Sequence, residues 1–299
     1  MALLIPDARG SLFGGLIDDA ALLRPSPPTV EQAVEAYQRL RATGHGWIVG
    51  RLVVPASRLE ELAGVLVRTL TSGSVPMPIV VVFDGDTTSD ASIAAAVHTM
   101  LDPAARIDRV LLPPHNSDPI DGIADAVAAG NGVHHGVLSM VALLVGVPND
   151  NRMEAIAAAG MEALRPAGGW IDLRSSAVDR LALFATIRAC VRFSVPFTVL
   201  ADHLPIVTQG TYPTGDRAYG ALNLLAATLH AHSTESDGAA ILADNDPRAY
   251  SIDFGGLTRH GVGIRVRGSV GADRSPLVSL ATLNALAAVA ALGTLDQVP

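Results

Sequence analysis

The feature that most constrains this chain is a repeat. A short run rich in β-branched residues is followed by a stretch with apolar residues at helical spacing, and the pair recurs through most of the sequence. Trp47–Val54 (WIVGRLVV) reads as a strand, and Ser57 caps a helix carried by Leu59, Leu62, Leu66 and Leu70. Pro78–Phe83 (PIVVVF) is the next strand, continuous in apolar residues as a strand covered on both faces should be. Its helix is Ala91–Leu101. Strands at Ile107–Leu112 and Ser139–Val147 precede helices over Pro119–Ala129 and Asn149–Ala163. Gly169–Arg174 precedes the helix Ala177–Arg192, and Phe197–Ala201 precedes the helix Asp216–His230.

Strands alternating with helices at this spacing argue a parallel sheet with crossover helices. Six clear units and two weaker ones point to an α/β fold, a single (β/α)8 TIM-barrel-like domain over residues 29–299. The weaker units are strands at Ala249–Phe254 and Val262–Arg267, before an apolar final helix within Val278–Leu292. Residues 1–28 read as an irregular N-terminal arm, holding the Asp18-Asp19 pair and ending in a proline-rich stop. Thr29 then caps a helix, with Gln32 three residues on as in a capping box. The alternative is an open doubly wound parallel sheet, which lacks the support of a GxGxxG motif after the first strand.

Composition narrows the chemistry. All 21 basic residues are arginine, and the absence of lysine removes Schiff-base, pyridoxal-phosphate and P-loop chemistry. No CxxC, HExxH or GxSxG pattern occurs, so the sequence assigns neither metal nor cofactor. A net charge of −8 with scattered arginines argues against a nucleic-acid partner. The longest apolar run, Val278–Leu292, is shorter than the ~20 residues a bilayer requires, so no membrane partner is expected. The first residues lack a basic stretch of the secretory type, and a lone Cys190 suits a reducing compartment, so a cytoplasmic location is expected. A homo-oligomer remains open.

Several polar residues interrupt the apolar pattern. Asp202 and His203 follow the strand Phe197–Ala201, at the end where barrel chemistry collects. They read either as an acid/base pair or as a turn cap beside a partly buried imidazole. Asp172 and Arg174, at i and i+2, share one face of their strand, as an anion clamp or as a buried ion pair. Asp84, in Asp84-Gly85-Asp86, reads as a strand-end carboxylate or a simple turn. Arg51, in mid-strand, must find a partner or line the mouth of the barrel. The imidazoles of His115, His134 and His135 lie in loops, and a stability or interface role is expected for the latter two.

Four segments carry a resemblance: GRLVVPASRLEEL (Gly50–Leu62), GGWIDLR, VPFTVLADHLP and AYGALNLLAA (Ala218–Ala227). Together they resemble an uncharacterised bacterial family of barrel-like proteins with motifs of the type K-[LV]-R-T-G-G, F-K-A-T-A-G-L-H-H-P and H-G-F-L-N. The resemblance places Arg174, His203 and Asn223 on motif positions. The chain departs from the motifs elsewhere, with Thr198 at the lysine, Leu204 at one histidine and Tyr219 at the histidine of the helix motif.

These readings combine into two functional expectations. One is a barrel of enzymatic ancestry that binds a small anionic ligand at the C-terminal strand ends, with Arg174, Asp172, Arg51, Asp84 and Asn223 as binding residues and Asp202 and His203 as acid/base candidates. Its chemistry would be of a lysine-independent lyase, isomerase or hydrolase kind. The other is a pseudoenzyme acting through oligomer or partner contacts.

Overall fold

The capping box forms as the sequence predicts and starts the first long helix. Thr29 Oγ1 accepts from the Gln32 N–H at 3.2 Å, and Gln32 Oε1 accepts from the Thr29 N–H at 3.1 Å. The structure is a computed structural model that describes residues 8–69, 75–84, 104–112, 141–144, 169–173, 179–209, 218–231, 237–253, 256–263 and 277–293. Helix α1 (Ala8–Phe13) leads into strand β1 (Ile17–Asp19), and the capped helix α2 (Val30–Arg41) leads into β2 (Val49–Pro55). Helix α3 (Leu59–Thr69) follows, then β3 (Met77–Val82), β4 (Ala105–Leu112), β5 (Val141–Leu144) and β6 (Gly169–Asp172). The helices expected between β3 and β6 lie outside the described residues.

Helix α4 (Arg180–Arg192) starts at Asp179, whose carboxylate accepts from the N–H groups of Leu181 and Ala182. It leads into β7 (Phe197–Ala201) and helices α5 (Ala221–His230) and α6 (Gly238–Ala243). A small antiparallel sheet of β8 (Tyr250–Asp253), β9 (Gly256–Arg259) and β10 (Val262–Gly263) comes next, then β11 (Leu277–Thr282) and helix α7 (Ala285–Gly293). The chain is thus mixed α/β, built on a curled parallel sheet. Its hydrogen-bonded order is β1-β11-β7-β6-β5-β4-β3-β2, and β1 pairs in parallel with both β11 and β2.

Three expectations are corrected. Residues 1–28 are not a wholly irregular arm, because Ile17–Asp19 is a sheet strand. The segments expected as the last two barrel strands instead pair antiparallel with β9 and form a separate sheet. The stretch expected as one final helix holds both β11 and α7. Asn284 divides it, since its side chain accepts from the Ala287 N–H at 3.3 Å and so begins the helix.

The sheet is covered on both faces. Leu52, Val54, Ile79, Val81, Ile171, Val199 and Leu280 belong to one apolar cluster with residues of α2, α3, α4, α5 and α7. The alternate residues Val53, Val80, Val82, Leu111, Trp170, Leu200 and Ala281 form a second cluster that contains no helix residue. Period-two alternation therefore assigns the second cluster to the inside of the curl.

Two register shifts break this alternation. One lies between β1 and β2, between the pairs Ile17↔Val49 and Asp19↔Leu52. The other lies in β4, where Ile79 pairs with Ile107 but Val80 pairs with Arg109. At the first, the Asp18 carboxylate accepts from the Arg51 N–H at 2.7 Å, taking the place of a ladder carbonyl. Gly50 makes this approach possible. A Cβ there would meet Asp18 Oδ1 and stand 2.7 Å from the Gly15 carbonyl oxygen. Gly50→Ala is expected to cost about 1–3 kcal/mol, read as a lower urea midpoint at unchanged slope.

Candidate functional site

The polar residues inside the curl form a layer one pleat nearer the strand N-termini than the apolar cluster. Arg51 precedes Val53 by two residues, Arg109 precedes Leu111, Thr198 precedes Leu200 and Ser279 precedes Ala281. Asp18 joins them by the same spacing, since it precedes Ala20 of the inner cluster by two residues. Asp18, Arg109, Thr198 and Ser279 are all buried. Arg109 Nη1 donates to Thr198 Oγ1, which lies 3.1 Å from Ser279 Oγ. Among the described residues Asp18 Oδ2 and Arg109 Nη2 have no hydrogen-bond partner.

Arg51 links this layer to the surface. Its Nη1 is 3.6 Å from Asp18 Oδ1, and its Nε donates to Asp108 Oδ2 at 3.0 Å. The other oxygen of Asp108 accepts from Arg106 Nε at 2.6 Å. One carboxylate at the β4 register shift therefore orients two guanidinium groups. Arg41 completes the set. Its Nη1 donates to the carbonyl oxygens of Gly50 at 3.1 Å and Val49 at 3.3 Å, and its guanidinium lies 5.9 Å from the Tyr37 ring centroid.

These groups border a pocket of ≈ 640 Å³ at the N-terminal ends of the strands. Its lining includes the polar Arg41, Arg51, Arg106, Asp108 and Gln38 and the apolar Trp47, Val75, Pro76 and Met77. Three guanidinium groups thus face one carboxylate, in a protein whose net charge is −8.

The C-terminal ends differ. Asp84 is exposed and accepts from Ser57, at 3.0 Å from its N–H and 2.5 Å from its Oγ, so it ties the end of β3 to the turn before α3. Asp202 is half-buried beyond β7, with its carbonyl 3.3 Å from Thr282 Oγ1, and His203 beside it is exposed. Arg24 donates through Nε to the Leu283 carbonyl at 2.8 Å, and Leu283 packs on the inner apolar cluster. That cluster stands between Arg51 and these strand ends, so Arg51 does not share a site with Asp84, Asp202 and His203.

Asn223 is buried in α5 and binds the chain itself. Its Oδ1 accepts from the Thr208 N–H at 2.7 Å, and its Nδ2 donates to the carbonyls of Ile241 at 2.6 Å and Asp244 at 2.8 Å. It knots α5 to α6 away from the curl. Asp172 ends β6 in register with Leu200, and its side chain lies outside the described residues, as do Arg174, His115, His134 and His135. Among the described residues no group of three or more His, Cys, Asp or Glu could hold a metal, and no helix is long and apolar enough to cross a membrane. Cys190 is buried, which pushes its thiol up to about 12.

Sequence reasoning singled out Arg51 but not Arg109, Asp108 or Ser279. The available signal was ARIDRVLL, two arginines and an aspartate inside a strand otherwise apolar on both faces. Comparison with family models, with curated proteins and with solved structures finds no match to this chain.

Burial raises the Asp18 carboxyl above its ordinary 3.8, against the opposing pull of Arg51, Ser279 and Arg109. Burial likewise lowers Arg109 to about 10, which leaves it cationic at neutral pH. A carboxyl raised on folding contributes stability below its unfolded value and loses it as pH climbs through the folded value. Asp18→Asn removes this dependence but keeps an acceptor for the Arg51 N–H. The melting temperature of the parent minus that of Asp18→Asn is therefore expected to grow as pH is lowered from about 8 to about 4. A flat difference would show that the Asp18 carboxyl is not raised.

Proposed function

We propose that this chain is a (β/α)8 barrel of enzymatic ancestry that binds a small anion at the N-terminal ends of its strands. The observation that carries the reading is the convergence of Arg41, Arg51 and Arg106 on one pocket, with Asp108 fixing two of them through Nε. Among the described residues, the terminal amino groups of Arg106 make no bond to the protein, which leaves a planar fork for carboxylate or phosphate. The eightfold repeat rests on the parallel ladder with β1 paired on both sides, together with the helices that follow β1, β2, β7 and β11.

Binding rather than turnover is the favoured role. Among the described residues the lining contains no serine, cysteine, histidine or lysine, and its one carboxylate is held by two arginines. At the other end, Asp84 serves the turn before α3. The family resemblance points the same way, since the motif lysine is replaced by Thr198, which binds Arg109.

Arg106 is the residue to test, because its side chain is 68% exposed and its loss spares the core. Calorimetric titration with sodium phosphate and sodium benzoate is expected to show binding of at least one probe by the parent. Arg106→Gln should weaken it about tenfold, the loss of one charge-assisted hydrogen bond, with the melting temperature of the ligand-free protein unchanged. Absence of binding by the parent, or equal binding by the variant, would refute the assignment.

A further inference from the structure

We infer that the ligand of this pocket is an amphipathic organic anion, a carboxylate on a flat apolar body, rather than a bare inorganic oxyanion. The inference rests on the small-anion reading above and assigns the chemistry of the rest of the ligand. Size is the first reason. A volume of ≈ 640 Å³ falls within the range of about 300–1,000 Å³ typical of sites for whole organic molecules, far larger than a tetrahedral oxyanion fills.

The exposed apolar lining is the second. The cations stand on α2, β2 and β4, and in the same lining Trp47 and Val75 have 40% and 87% of their surface exposed. Val75 lies two residues before β3, and Pro76 and Met77 carry the apolar lining on from it. An inorganic anion would use the guanidinium groups and leave Trp47 and Val75 in water. A ligand with an apolar body removes that surface from water and offers a plane for the Trp47 ring.

The third reason is the geometry of the anionic end. Asp108 already occupies the Nε edge of Arg51 and of Arg106, and among the described residues the terminal amino groups of Arg106 make no bond to the protein. A planar two-oxygen carboxylate matches that remaining fork.

Calorimetric titration of the parent with acetate, benzoate, 1-naphthoate and inorganic phosphate tests this directly. Affinity is expected to rise at least tenfold from acetate to 1-naphthoate, with phosphate no tighter than acetate. Trp47→Ala should remove most of the gain, so that the ratio of 1-naphthoate to acetate affinity falls toward one. Val75→Ser, at an exposed position outside the core, should reduce the gain by a smaller factor. Phosphate binding tighter than 1-naphthoate, or equal affinity for all three carboxylates, would overturn the inference and leave the small-anion reading standing. Failure of every probe to bind would overturn that reading itself.

Discussion

The architecture depends on one buried carboxylate. Strand β1 has only three residues, and the ladder slips where it meets β2, so the backbone pairing between these strands is short and interrupted. Asp18 fills the gap by accepting from the Arg51 N–H, and it draws the Arg51 side chain toward itself. Taking a carboxylate out of water costs several kcal/mol unless it is paired and hydrogen-bonded. Arg51, Ser279 and Arg109 offset part of that cost from three other strands. The burial cost of one group thereby sets the side chains required on β2, β4 and β11.

Arg51 carries the consequence outward. Held on one side by Asp18 and on the other by Asp108, it cannot swing away from the N-terminal opening, and Asp108 in turn fixes Arg106. The same ion chain that joins the sheet thus presents two guanidinium groups in set orientations. Preorganised donors of this kind lose little entropy when an anion arrives. Above the layer, Val53, Val80, Leu111, Trp170, Leu200 and Ala281 isolate it from the C-terminal strand ends, which makes the two ends of the curl chemically independent.

Much of the fold was legible in the sequence, and the exceptions have physical causes. Strands buried on both faces announce themselves as apolar runs, so β2, β3, β4, β6 and β7 were found within a few residues. Strand β1 was not, because IDD offers two charges and no alternation, and its acids make sense only once Arg51 is across from them. Strand β11 was absorbed into a helix because LVSLAT merges with an alanine-rich stretch, and only the capping by Asn284 separates them. For the site, Arg51 was recognised as needing a partner, but its partners were hidden by the slips. At a bulge the rule that i and i+2 share a face fails, so Asp108 and Arg109 cannot be assigned to faces by counting. Asn223 illustrates the opposite limit. A motif position marked it for ligand binding, whereas its amide secures the backbone of α6.

The central claim is that the strand N-termini, and not the C-terminal ends, hold the anion. Crystals soaked in 4-iodobenzoate would test it most directly, since the anomalous signal of iodine locates the ligand without reference to any assumed pose. The account predicts a peak between Trp47 and Val75 with the carboxylate on Arg51 and Arg106. A peak beside Asp202 and His203 would contradict it.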